Sequence, residues 1–290
     1  MDKKLTNIEI EKMEDEYMEK FGDYPIPEFE GLSANQMTNL LEDFLEEKSP
    51  ISLYKDIDCE ALDTIPLLQL MKYYLNLIIR EGGNIKLTAA GYIPPKLVKE
   101  IYDTGFILDP MVENGSITIN KELDSMVVEL VKLLAHICRL TFEDKGKIQI
   151  TELGEELLKN EISLLHCIIK GYSKEFNWAY FDACGDFENF QRDIGYTVYL
   201  VKKYGRKKLP ISLYTDKFIK AFPASYEEFL PFSEDENDVE KSLDFEYTYY
   251  LRSFERFLGY FNLIDIFLKD ENTIIISKTD IFDKIIKFSK

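Results

Sequence analysis

The sequence repeats itself at a fixed offset of 126 residues. The longest stretch of the match sets residues 134–151 against residues 260–277 without a gap. Eight apolar positions of the first stretch are apolar in the second as well, namely Leu134, Ala135, Ile137, Cys138, Leu140, Phe142, Ile148 and Ile150. The same offset places residues 85–87 on residues 211–213. A repeat found in separate stretches constrains architecture more strongly than a local motif. We therefore interpret the chain as a tandem duplication.

Each copy predicts the element order of a winged helix-turn-helix, which is a helix, a short strand, two helices and a two-stranded wing. In the first copy these elements are expected over residues 65–80, 85–88, 94–105, 123–138 and 139–151, with the tip of the wing at Lys145-Gly146. In the second copy they are expected over residues 187–205, 211–214, 212–222, 246–261 and 263–277, with the tip at Glu271-Asn272. The predicted fold class is therefore mainly α with small β-hairpins, an α+β chain.

Four segments follow from this pattern: an acidic helical N-terminal extension (1–60), a first winged-helix module (61–154), a connecting helix with an aromatic junction (155–186) and a second module (187–290). The extension has 17 acidic and 6 basic residues, a net charge of −11 out of −18 for the whole chain. An acidic helix is expected over residues 7–20. A second helix, with Ser33 as its N-cap, has an apolar stripe that should dock on a module; its members are Met37, Leu40, Leu41, Phe44 and Leu45.

The bulk composition restricts location and partners. A net charge of −18 repels nucleic acid and anionic membranes at long range, so a protein partner is favoured and nucleic acid requires a local basic patch. No apolar run approaches the roughly 18 residues that span a bilayer, and the first residues lack the apolar segment of a signal peptide, so we expect a cytoplasmic protein without membrane association. The four cysteines have no CxxC spacing and are expected to be reduced thiols. The oligomeric state is not indicated.

Three motifs carry a resemblance to a known family. They are GLSANQM from Gly31, LTAAGYIPPKLV from Leu87, and FNWAYFD from Phe176. Together they resemble a family of uncharacterised bacterial proteins with GLSxxQM, LTxxGxxPxKLV and FNWxYxD motifs, loosely akin to the open-reading-frame family first named from an Ri plasmid. Ala34, Tyr92 and Pro95 depart mildly from that pattern. The resemblance implies no catalytic residue.

The third helix of a winged helix is the usual reader of the major groove. In the first copy this helix is apolar on nearly all faces, which indicates burial. In the second copy it offers Arg252 and Arg256 on one face. The chain's one basic cluster lies nearby and consists of Lys202, Lys203, Arg206, Lys207 and Lys208. These seven residues are the candidates for nucleic-acid binding; the alternative for the cluster is a solvated helix end whose cations complement the helix dipole.

The aromatic junction is the second candidate site. Asn177, Trp178, Tyr180 and Asp182 lie in a segment that either lines a pocket or packs between the modules, and packing is favoured. His136 and His166 are each expected to be a core or interface histidine. No phosphate-binding glycine loop, GxSxG or HExxH motif is present, so no catalytic residue, metal site or cofactor is assigned.

Three functions remain open. A non-catalytic interaction or regulatory protein is favoured. A DNA-binding transcriptional regulator that uses residues 202–208 with Arg252 and Arg256 is the first alternative. An enzyme with its site at the FNWAYFD junction is the second.

Overall fold

A computed structural model describes Lys12, Glu16 and residues 19–182, 184–185, 187–229, 245–270 and 273–289. Within these ranges the chain is a mixed α+β protein, mostly helical, with small antiparallel sheets. Most of the expected acidic helix over residues 7–20 and the wing tip Glu271-Asn272 lie outside the described residues. So does most of a second acidic stretch, residues 233–246, which precedes the predicted third helix of the second copy.

The first half of the chain contains α1 Ala34–Glu42, β1 Ile51–Leu53, α2 Cys59–Asp63, α3 Pro66–Arg80, β2 Asn84–Lys86, α4 Pro95–Tyr102, α5 Pro110–Glu113, α6 Met126–Ile137, β3 Thr141–Asp144 and β4 Lys147–Ile150. The connecting segment contains α7 Glu152–Leu157, α8 Glu161–Lys170, a π-helical turn Gly171–Glu175 and a 3-10 turn Trp178–Phe181. The second half contains α9 Asn189–Arg192, α10 Ile194–Tyr204, β5 Leu209–Pro210, α11 Ile211–Ala221, α12 Pro223–Phe229, α13, β6 Ile264–Asp270, β7 Thr273–Lys278, α14 Asp280–Ile285 and β8 Ile286–Phe288. The described part of α13 covers 245–260, and its segment Tyr250–Leu258 is π-helical.

Local sequence explains the elements of the first half. Proline occupies the first helical position of α3 and of α4, where a missing N–H costs nothing. Gly82 and Gly83 both have positive φ and end α3. The β3–β4 hairpin turns through Lys145 and Gly146, with φ of 48° and 68°, the two left-handed residues that a tight hairpin requires. The predicted hairpin therefore lies where the alternating pattern placed it.

The two three-stranded sheets have the same strand order, β2-β4-β3 and β5-β7-β6. The pair Asn84↔Gln149 in the first sheet and the pair Pro210↔Ile275 in the second differ by 126 in both residue numbers. The pairs next to the two turns, Asp144↔Lys147 and Asp270↔Thr273, differ by the same amount. A bulge between Leu268 and Asp270 shifts the rest of β6 by one residue against β7.

The strand expected over residues 211–214 is wrong. These residues form the first turn of α11, and the strand is only Leu209–Pro210. The buried positions of α11 recur at helical spacing, being Ile211, Tyr214, Thr215, Phe218 and Ala221. That period belongs to a helix, so the similarity of residues 85–87 to 211–213 does not extend to their conformation.

The N-terminal segment is built into the core. Ser33 and Gln36 form a capping box at the start of α1, and Met37, Leu40, Phe44 and Leu45 are buried, as the apolar stripe predicted. Gly195 of α10 lies against this helix, because a Cβ at that position would be 2.5 Å from the carbonyl oxygen of Leu40. Strand β1 then pairs antiparallel with β8, so the acidic segment and the C-terminal strand share one sheet.

The buried apolar residues of both halves and of the connecting segment form one continuous cluster. Among the described residues, no helix combines the length and apolar character needed to cross a bilayer.

Candidate functional site

The aromatic junction is a packed core. Tyr172 stacks on Phe176, Trp178 and Phe257, with ring centroids 5.2, 5.8 and 6.2 Å apart. The indole Nε1 of Trp178 donates to the carbonyl oxygen of Tyr172 at 2.7 Å. Burial of Trp178 with its N–H satisfied supports the packing interpretation of this segment.

Asp182 lies at the centre of a buried ionic cluster, which we call the Asp182 cluster and which comprises Asp182, Arg252 and Arg256. Arg252 binds the carboxylate in bidentate fashion, through Nε at 3.0 Å and Nη2 at 2.7 Å. Arg256 Nη1 donates to the same carboxylate at 3.1 Å. The side chains of Asp182, Arg252 and Arg256 are only 3%, 1% and 9% exposed.

Backbone carbonyls complete the shell of the Asp182 cluster. Arg252 also donates to the carbonyl oxygens of Gly185 and Phe187, and Arg256 to that of Phe181 at 2.9 Å. All of these acceptors lie within one turn-rich loop, so the two guanidinium groups hold the loop against α13. Two cations share one carboxylate, and the carbonyl dipoles supply the remaining negative potential.

This geometry corrects the assignment of Arg252 and Arg256 as base-reading residues. Their spacing of four does place both on one side of α13, but that side faces the loop around Asp182 rather than solvent. A guanidinium group that is buried and hydrogen-bonded to internal acceptors is not available to a base edge.

The basic cluster of residues 202–208 is divided by internal contacts. Lys202 binds Asp283 at 2.8 Å, and Lys203 binds Glu30 at 3.0 Å. Arg206, Lys207 and Lys208 are exposed, and the ammonium of Lys208 lies 3.8 Å from the ring centroid of Phe267. Two of the five cations are therefore paired with carboxylates, and the other three are exposed.

Glu30 binds side chains of the second half, and the sequence analysis did not single it out. Its carboxylate accepts hydrogen bonds from Lys217 at 2.7 Å, from Lys203 and from the Tyr204 hydroxyl. Burial is the largest single influence and raises the pKa of Glu30, but the hydrogen bonds from Lys217, Tyr204 and Lys203 together outweigh it and lower that pKa to about 2. The acidic N-terminal segment thus neutralises cations of the second half within the fold.

The other junction candidates have local roles. Asn177 caps the 3-10 turn by accepting from the backbone N–H of Ala179 at 2.8 Å, and Tyr180 is exposed. Asn177 also borders a cavity of about 340 Å³ between α1 and α9. Gln191 lines the same cavity, but its amide already donates to the carbonyl oxygens of Ser173 and Phe176. Trp178, Tyr180 and Asp182 do not line it, so the four candidates do not form one pocket.

The two histidines differ. His136 is exposed on α6, which excludes the core but not the interface half of the expectation for it. His166 is half-buried, and burial lowers its pKa. In the described part of the chain no group of three or more histidine, cysteine or acidic side chains is arranged to hold a metal ion.

Each of the three sequence motifs has a position in this architecture. The first contains the capping box of α1, the second leads through Gly91, with φ of 83°, into α4, and the third carries Asp182. The sequence analysis singled out Asp182 and the two arginines but assigned them to different sites. The only sequence signal for the Asp182 cluster was the number of polar residues among the aromatic residues of the junction.

Comparison with protein-family models, curated proteins and solved structures finds no match to this chain.

Proposed function

We propose that the chain is a tandem of two winged-helix modules that acts as a non-catalytic protein-interaction unit. The shared strand order of the two sheets and the offset of 126 residues between their paired positions support the winged-helix interpretation. Fold alone does not assign function, so the proposal rests on what the third helices present.

The observation that carries the proposal is the burial of both third helices. Within α6 only His136 is exposed, and within the described part of α13 only Tyr247 is exposed. A recognition helix has to lay a polar face in the major groove. In its described residues neither helix offers such a face, so the modules contribute structure rather than base contacts.

A loop of the first module offers a surface for a protein partner. Phe106, Leu108 and Met111 are exposed within six residues, Leu108 by 53% and Met111 by 52%. Exposed apolar side chains grouped in this way are typical of interaction sites. We call these three residues the apolar loop surface.

The apolar loop surface is held in place by buried polar groups. The hydroxyl of Tyr102 accepts from the backbone N–H of Asp109 at 3.1 Å and donates to Glu113 at 2.8 Å. Asp109 in turn caps α5 by accepting from the backbone N–H of Met111 at 2.9 Å. A surface fixed in advance loses less conformational entropy on binding.

Charge favours a protein over a nucleic acid as the partner. The chain carries a net charge of −18, and two of the five clustered cations are already paired with carboxylates. Long-range attraction is therefore strongest for a basic protein, and such a field mainly raises the rate of association.

Site-specific photocross-linking in living cells tests the partner class. A photoreactive side chain at Leu108 should give covalent adducts with protein, and Met111→Asp in the same chain should reduce their yield at least several-fold. The same label at Leu268, which is 76% exposed on β6, is the matched control for exposure alone. Adducts with nucleic acid at Leu108, or equal protein yields at both positions, would contradict the proposal.

Titration with duplex DNA tests the alternative. We expect at most weak association at low salt, with a salt dependence of about −0.9 per phosphate contact in log affinity against log salt. Lys207→Glu combined with Lys208→Glu should abolish it, because these two side chains are exposed. Sequence-selective binding at physiological salt would favour a DNA-binding regulator instead.

A further inference from the structure

Cys138 and Cys167 lie side by side although they are distant in sequence. Cys138 ends α6 and Cys167 lies in α8. The Cys138 thiol is 3.6 Å from the carbonyl oxygen of Cys167, and the Cys167 thiol is 3.8 Å from the carbonyl oxygen of Cys138. Because each sulfur reaches the backbone of the other residue, the two side chains run alongside one another.

A glycine makes this approach possible. Gly171 follows Cys167 by four residues, and a Cβ at Gly171 would lie 2.4 Å from the Cys138 sulfur. The missing side chain leaves the space that the Cys138 thiol occupies beside the end of α8. Any larger residue at this position would displace the Cys138 thiol from this place.

The two thiols have different acidities. A hydrogen bond from Cys138 is the largest influence on Cys167 and lowers its pKa, and nearby Lys170 acts in the same direction. The same hydrogen bond and burial raise the pKa of Cys138. Cys167 is also the more exposed of the two. Cys167 is thus the thiol that reacts first with an oxidant, and Cys138 lies close enough to react with the oxidised Cys167.

We propose that Cys138 and Cys167 form a dithiol site that hydroperoxides oxidise to an intramolecular disulfide. The Cys167 thiol loses its proton and the thiolate attacks the terminal peroxide oxygen, which keeps its own hydrogen. The O–O bond breaks, and the departing alkoxide or hydroxide takes up the thiol proton and leaves as an alcohol or water, which gives a sulfenic acid at Cys167. The Cys138 sulfur then attacks the Cys167 sulfur, the S–OH bond breaks, and water leaves with the Cys138 proton. Two thiols are oxidised and one hydroperoxide is reduced.

The disulfide would close a loop that contains β3, β4 and α7. It would tie the end of α6 to the connecting segment, and so fix the hairpin relative to α8. A covalent link of this kind restricts the unfolded chain more than the folded one.

Peptide mapping of the full-length protein after treatment with hydrogen peroxide tests the proposal. Trypsin places the four cysteines in four peptides, covering residues 56–72, 133–139, 160–170 and 175–192. We expect a link between peptides 133–139 and 160–170 that thiol reductant reverses. Exposed Cys59 serves as the internal control and should react more slowly.

Two serine variants separate the roles of the thiols. In Cys138→Ser, dimedone should trap a sulfenic acid at Cys167, because the second thiol is missing. In Cys167→Ser, Cys138 should remain a free thiol. The proposal is overturned if peptides 133–139 and 160–170 stay unlinked in the folded wild type, or if dimedone labels Cys59 in preference to Cys167.

Discussion

Asp182 connects the aromatic junction to α13. Its carboxylate joins two guanidinium groups that come from residues 70 and 74 positions further along the chain. Burial of three charged groups is costly, and it is tolerated because each finds an opposite charge or a carbonyl dipole. The stability of this region therefore depends on one side chain.

Replacing Asp182 by asparagine should lower the free energy of unfolding by about 3–5 kcal/mol, because two buried cations lose their counter-charge. Arg256→Met should cost less, since it leaves Arg252 and Asp182 as a one-to-one pair. Asp144→Asn, at the exposed pair with Lys145, is the control and should have little effect. Urea unfolding measures all three. A cost for Arg256→Met as large as that for Asp182→Asn would argue against this account.

Glu30 makes stability depend on pH in the acid range. Its pKa falls from an ordinary value of 4.5 to about 2 in the folded chain. The stabilisation is therefore complete above pH 4.5 and is lost as the pH falls toward 2. We expect Glu30→Gln to be less stable than wild type by on the order of 2 kcal/mol at neutral pH. That difference should shrink as the pH decreases below 4.5.

Unfolding by urea at several pH values measures the contribution of Glu30. Glu28→Gln is the matched control, because Glu28 is exposed in the 3-10 turn Pro27–Phe29 that directly precedes Glu30. A difference between wild type and Glu30→Gln that stays constant from neutral to acid pH would show that the ion pairs are not its source.

At the scale of elements, α1 and α10 pack so closely that a single methyl group matters. Alanine is favoured over glycine by about 1 kcal/mol within a helix, yet at position 195 its Cβ would collide with the Leu40 carbonyl. The collision involves backbone atoms, which cannot rotate away. The close contact between α1 and α10 therefore requires glycine at position 195.

We expect Gly195→Ala to destabilise the protein by about 1–3 kcal/mol and to loosen α1. Limited proteolysis measures the loosening: cleavage between Leu40 and Leu45, slow in wild type, should accelerate. Thr38→Ala on the exposed side of α1 is the control and should leave the rate unchanged. Stabilisation by Gly195→Ala would mean that helix propensity outweighs the contact.

At the scale of the whole molecule, the N-terminal segment and the C-terminal strand meet in one sheet. Strand β1 pairs with β8 in the register Ile51↔Phe288, and Ile51 and Ile286 are buried beneath it. Together with the continuous core, this closure should make the chain unfold as one unit. Trp178 is the single tryptophan and lies at the junction, so its fluorescence reports on the centre of the molecule.

Fluorescence of Trp178 and far-UV circular dichroism should give coincident urea transitions. Ending the chain after Ile285 removes β8 and should lower the transition midpoint, because Ile51 becomes exposed. Ending it after Phe288 removes two residues, keeps the strand and should have a much smaller effect. Separate transitions for the two probes, or an unchanged midpoint without β8, would contradict a single cooperative unit.

Local physical chemistry explains what the sequence by itself determined. Proline and glycine punctuation set the bounds of α3, the alternating runs set the β3–β4 hairpin, and the apolar stripe of α1 indicated a docked helix. Each of these features depends on neighbours within a few turns, which periodicity detects. Residues 211–214, where a strand was expected, are helical because the buried positions of α11 recur at helical spacing.

The tertiary structure alone decided which polar residues face water. Arg252 and Arg256 share one side of a helix, and the same spacing fits a solvated face or an ionic core. Glu30 meets Lys203 and Lys217 more than 170 positions away, and Cys138 meets Cys167 across two helices. Periodicity records which residues share a face, but the group that covers that face comes from another element. Only the packing of those elements brings the two together.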